Sequence, residues 1–92
     1  MANKEQLKLI KGGVETWNAW RQAHPSIRID LSSGNLSGMN LPGIDLAGAN
    51  LQDVNFNAAD LSDARLSGAN LSESSLMAVS YTHLTLPTTP YV

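Results

Sequence analysis

Two different rhythms of apolar residues divide the chain. Over residues 3–23, Leu7, Ile10, Val14 and Trp17 recur at steps of three and four, with Leu9 and Trp20 widening the stripe. That is the helical period, and it predicts an amphipathic helix. Asn3, followed three residues later by Gln6, predicts a capping box at its start. Pro25 ends it, because His24 ahead of a proline is pushed out of the α region. Gly12 and Gly13 each cost about 1 kcal/mol relative to alanine inside a helix, which marks a bend or a break there. A lone helix of this length is marginal in water, so its Trp17 and Trp20 face needs a surface to pack on.

From residue 29 to residue 78 the rhythm is five. Written in fives, the segment reads IDLSS, GNLSG, MNLPG, IDLAG, ANLQD, VNFNA, ADLSD, ARLSG, ANLSE and SSLMA. The third position is Leu31, Leu36, Leu41, Leu46, Leu51, Phe56, Leu61, Leu66, Leu71 and Leu76. The second is Asp or Asn in eight of the ten, with Arg65 and Ser75 as exceptions, and the first is small or aliphatic. A period of five fits neither a helix at 3.6 nor a strand at 2.0, so the chain must turn a corner once per repeat. Winding into a coil satisfies this. The third residue points inward, successive coils pair at the inter-strand spacing of about 4.8 Å, and short polar residues take the turns.

This run resembles the pentapeptide-repeat family, whose consensus is Ala, then Asp or Asn, then Leu, then two variable positions. The resemblance covers residues 29–78 without a break. It implies an all-β solenoid: a right-handed quadrilateral β-helix with four repeats per coil, preceded by an N-terminal α-helical cap. Val14, Trp17, Asn18, Trp20 and Arg21 resemble that cap. Three segments follow: 1–28, capping helix and connector; 29–78, about 2.5 coils and roughly 12 Å tall; and 79–92, a tail outside the repeat. With twenty residues per coil, Leu31, Leu51 and Leu71 form one interior column, and Leu36, Phe56 and Leu76 a second. Leu41 with Leu61 and Leu46 with Leu66 complete the square. Leu7, Ile10, Val14, Trp17 and Trp20 pack the cap onto it. The bulk of Met39, Ile44 and Val54 suggests a wide first coil beneath the helix. Outside, Asp45 lies under Arg65, an expected cross-coil ion pair, and Asp30, Asn50 and Asn70 form a polar ladder.

In the tail the pattern fails, with Ser80 and Thr85 where Asx belongs. Residues 79–88 resemble an in-frame translation of a sequencing-library adapter, which implies a segment without an evolved role and a longer native protein, here expected to be bacterial. The other reading is a β-prone C-terminal cap, confined to an edge by Pro87 and Pro90. Tyr81 and His83 are given no role.

Composition narrows the chemistry. The chain of 92 residues is 42% hydrophobic, 5% aromatic and 15% charged, and it contains no cysteine. One small aliphatic domain is expected, without disulfides, thiolate nucleophile or cysteine-held metal. Net charge is −2. Residues 1–28 carry five basic against two acidic side chains, and residues 29–78 one basic against six acidic. That balance argues against direct nucleic-acid binding and against a membrane surface. No apolar run approaches a membrane span or a signal peptide, so a cytoplasmic location is expected. Asn35-Leu36-Ser37 and Asn70-Leu71-Ser72 fit the glycosylation pattern as by-products of the repeat. Trp17 and Trp20 read as core anchors, with a stacking platform as the other use. His24 has no partner at metal-ligand spacing and reads as a solvated terminus.

No P-loop, HExxH or GxSxG is present, and outward Asp and Ser lie on flat faces. No catalytic, metal or cofactor residue is assigned. The leading expectation is a non-catalytic scaffold or protein-binding module with a protein partner. The resemblance also implies an alternative, a DNA mimic that modulates DNA gyrase or another DNA-binding protein. A third reading is a homodimer formed through the open C-terminal coil end.

Overall fold

The structure is a computed structural model, and it describes residues 2–80. Its regular elements are two short helices, α1 (Lys4–Lys11) and α2 (Val14–Ala23). The single stripe of the sequence is split at the two glycines. Gly13 adopts φ 109°, which only glycine takes readily, and it leads into α2 without a side-chain cap. Asn3 caps α1 by accepting from the N–H groups of Glu5 and Gln6 at 3.0 and 3.1 Å. The reciprocal half of the capping box is absent. Gln6 turns elsewhere, and the Asn3 N–H donates to the carbonyl of Asp30 at 2.8 Å. At the far end His24 leaves the helix at φ −133°, as a residue before proline should.

The expected all-β architecture is not what forms. Among the described residues there is no β-strand and no sheet, so the right-handed quadrilateral β-helix is corrected to two helices followed by a winding chain whose pairing is reduced to isolated parallel bridges. These join Asp30 to Asn50, Asn35 to Asn55, Asn40 to Asp60, Asp45 to Arg65, Asn50 to Asn70, Asn55 to Ser75 and Asp60 to Ser80. The physical reason is the period. One residue in five is bridged and a turn follows within two residues, so no run of consecutive paired residues accumulates into a strand.

The nine corners from Leu31 to Ser74 are built alike. The carbonyl of the third residue accepts from the N–H three positions on, as from Gly34 to Leu31 at 2.9 Å and from Ala59 to Phe56 at 2.9 Å. The fifth residue has positive φ in each repeat, from 58° at Ala78 to 73° at Gly43. Positive φ at the third of four turn residues is the mark of a type II turn. The second-position Asx locks the approach: its Oδ1 accepts from the N–H two residues on at Asp30, Asn35, Asp45, Asn50, Asn55, Asp60 and Asn70. Asn40 cannot do so, because Pro42 has no N–H to give.

The core lies inside this winding. Leu31, Leu36, Leu41, Leu46, Leu51, Phe56, Leu61 and Leu66 are fully buried, together with Ile44, Val54 and the alanines at 49, 59, 64 and 69. Met39 is half-buried. Leu71 is partly buried, and Leu76 is 42% exposed, so the second column ends at the surface instead of in the core. Leu76 belongs to the last described turn, where fewer layers remain to enclose it. The bridging register nonetheless runs on through Ser80, two residues into the segment outside the repeat. The readings of residues 81–92, including Tyr81 and His83, lie outside the described residues.

Candidate functional site: the capped edge and the outer faces

The first coil has no coil beneath it, which exposes a row of backbone donors and acceptors. The helices cover part of this edge with polar side chains. The Gln6 carboxamide, in a side chain only 4% exposed, donates to the carbonyl of Arg28 at 2.8 Å and accepts from the N–H of Asp30 at 2.7 Å. Asn18 repeats the device on another face, donating to Gly43 O at 3.0 Å and accepting from Asp45 N–H at 2.9 Å. Each carboxamide presents one donor and one acceptor where a paired peptide group would. Trp17 Nε1 and Arg21 Nη1 then both donate to the Asp45 carbonyl, at 2.8 and 3.0 Å, and Arg21 reaches Ala47 O at 3.1 Å.

The residues expected to pack the cap divide by depth. Ile10 and Trp17 are fully buried, and Leu7, Val14 and Trp20 pack against the core while partly exposed. Trp17 and Trp20 face each other with ring centroids 5.5 Å apart. His24 is exposed, stacks on Trp20 at 5.2 Å and places Nδ1 3.0 Å from the Trp20 carbonyl. The Asp45 carboxylate meets Arg21 at 3.6 Å, so its ion-pair partner comes from α2 and not, as expected, from Arg65. Arg65 meets Asp45 through the backbone bridge alone. With both side chains reachable by solvent, the Arg21 pair contributes about 0–1 kcal/mol. The shared carbonyl is the stronger link.

On the outer faces the polar groups are occupied locally. Asp30 accepts from the Ser32 hydroxyl at 2.7 Å and Asp60 from the Ser62 hydroxyl at 2.7 Å. These bonds, with the backbone N–H of the same serines, hold both carboxyls below the ordinary carboxylate range. Ser75, which breaks the Asx pattern, is compensated from the coil below: Asn57 Oδ1 accepts from Ser75 Oγ at 2.6 Å and from Met77 N–H at 2.9 Å. A shallow cavity of about 400 Å³ lies between the α1–α2 corner and the coil, lined by Gly12, Gly13, Val14, Glu15, Thr16, Asn40 and Pro42. No group of three or more His, Asp or Glu suited to a metal occurs among the described residues. No described helix is long and apolar enough to cross a membrane.

Sequence reasoning missed the work of Gln6, Asn18 and Asn57. Gln6 carried a signal: it lies four residues before Ile10 and eleven before Trp17, on the buried stripe, where a polar residue needs a partner. No curated protein and no solved structure matches the chain. The family model described as pentapeptide repeats matches it in eight copies, over residues 27–63 and 55–79. Those segments span more than half of the chain and cover the residues that form the bridges and turns above, so the chain belongs to the pentapeptide-repeat family.

Proposed function

We propose that the protein is a non-catalytic scaffold that binds another protein through its outer surface. The observation that carries this reading is the fate of its polar groups. The interior is filled by Leu, Ile, Val, Ala and Phe, and the second-position Asp and Asn side chains from Asp30 to Asn70, except Asn40, are tied into their own turns, four of them also by a serine hydroxyl. Catalysis needs a nucleophile, a base and an orienting group converging in a pocket, and those locked side chains are poorly suited to it. Repeated, rigid, hydrogen-bonded faces suit recognition of a partner.

Mimicry of nucleic acid has weaker support. The outward columns read Asp30, Asn50, Asn70 and Asn40, Asp60, Ser80, while Asp45 stands against Arg21 and below Arg65. Negative charge is interrupted on each of them. The test is affinity capture from cell extract with the 92-residue chain as bait, followed by reconstitution with each recovered protein in purified form. A stoichiometric complex between purified components supports the reading. Capture of nothing that reconstitutes, alongside turnover of a small-molecule substrate by the purified chain, overturns it.

A further inference from the structure

The lower edge of the first coil offers the same backbone pair on four successive faces. Two pairs are closed by the cap: Arg28 O with Asp30 N–H by Gln6, and Gly43 O with Asp45 N–H by Asn18. The intervening pairs, Ser33 O with Asn35 N–H and Gly38 O with Asn40 N–H, have no hydrogen-bond partner among the described residues. All four of these residues are exposed. From Leu31 to Ile44 the sequence contains no charged residue, and so lacks the lysines and inward charges that commonly blunt an open edge. The cavity between the α1–α2 corner and Asn40 and Pro42 leaves room beside the open pairs.

From this arrangement we infer that the edge at residues 33–42 is a docking site for an extended peptide segment of a partner protein. The inference rests on the protein-binding reading above and adds to its outer faces a second contact at the open edge. Alternating N–H and C=O groups match a peptide backbone, which carries both, whereas a phosphate backbone would meet the carbonyls unfavourably. The cap shows the required chemistry, since on each closed face one carboxamide satisfies the same carbonyl and N–H pair. Met39, half-buried between the Gly38 carbonyl and the Asn40 N–H in sequence, supplies an adaptable apolar contact.

The experiment uses a phage-displayed library of linear peptides as the probe. Selected peptides are titrated into the isotope-labelled chain while backbone N–H resonances are followed. Binding should shift the Asn35 and Asn40 N–H signals and protect them from exchange, leaving those of Asn50 and Asn70 unchanged. Ser37→Lys, which places a charge on the exposed edge, should weaken binding about tenfold, the equivalent of one or two net hydrogen bonds. A synthetic chain with an ester in place of the Asn40 amide removes that donor alone and should weaken binding in the same direction. Peptides that map to the outer faces, or that bind both altered chains as tightly as the parent, overturn the edge site and leave the protein-binding reading standing. A library that yields no binder overturns the edge site too.

Discussion

Gln6 stands in for a missing coil beneath Asp30: one carboxamide satisfies the Asp30 N–H at 2.7 Å and the Arg28 carbonyl two residues earlier at 2.8 Å. Asn18 does the same for Asp45 and Gly43. The helices therefore close the coil by supplying peptide-like groups as well as by covering its apolar columns with Ile10 and Trp17. Removal of either carboxamide leaves a donor and an acceptor unpaired at the same place. Gln6→Ala is expected to cost about 1–3 kcal/mol, and Asn18→Ala, at a less buried site, toward the lower end of that range. Urea unfolding followed by circular dichroism measures both. Equal stability of Gln6→Ala and the parent would show that water replaces the carboxamide at no cost.

Asn57 accepts the Met77 N–H that an Asx at position 75 would accept, and also accepts from the Ser75 hydroxyl, so the two form a coupled pair. Asn57→Ala should cost about 1 kcal/mol and speed hydrogen exchange at the Met77 N–H. Ser75→Asn restores the acceptor within its own repeat, so the loss should largely vanish in the double variant. A double-mutant cycle with no interaction energy would refute the compensation.

Two glycines are required for different reasons. Gly48 has φ 70° with open space around it, so Gly48→Ala is opposed by backbone conformation alone, at about 1–2 kcal/mol, and Gly48→Asn should recover much of that loss. Gly34 is constrained by its neighbours: a Cβ there would lie 2.8 Å from the Leu31 carbonyl oxygen and 3.3 Å from Leu7 Cδ1. Gly34→Ala should be rescued in part by Leu7→Ala, which leaves Gly48→Ala unaffected. Thermal midpoints of the single variants and of the two double variants with Leu7→Ala distinguish the two causes.

Asp30 and Asp60 have carboxyls held below their ordinary value by the Ser32 and Ser62 hydroxyls and then by the backbone N–H of those serines. A carboxyl depressed in the folded state binds its proton less readily there than in the unfolded chain. Its stabilising contribution is therefore complete above the unfolded value, about pH 4, and is lost as pH falls through the folded value. The urea midpoint should be level from pH 7 to about pH 5 and then decline on acidification. Ser32→Ala with Ser62→Ala should flatten that decline. An unchanged acid limb in the double variant would assign it to other carboxylates.

The sequence determined the repeat by itself. A period of five with Leu or Phe at every third position permits little except a chain that turns a corner each time and buries that residue, and Leu31 through Leu66 lie buried accordingly. Membership of the family was legible for the same reason, since ten consecutive fives in register leave no freedom of frame. The break at Gly12 and Gly13 was legible as a weakness, and the structure made it two helices. What the tertiary structure decided is how backbone groups are satisfied. The family resemblance implied an all-β helix, but pairing one residue in five yields only isolated bridges. It suggested Arg65 for Asp45, yet the helix that lands on that corner brings Arg21 closer. Gln6, Asn18 and Asn57 acquired their partners only when segments 18 to 27 residues apart came into register. Hydrophobic periodicity is a local property of a chain, whereas the destination of a hydrogen bond is fixed only when the fold sets its two ends within 3 Å.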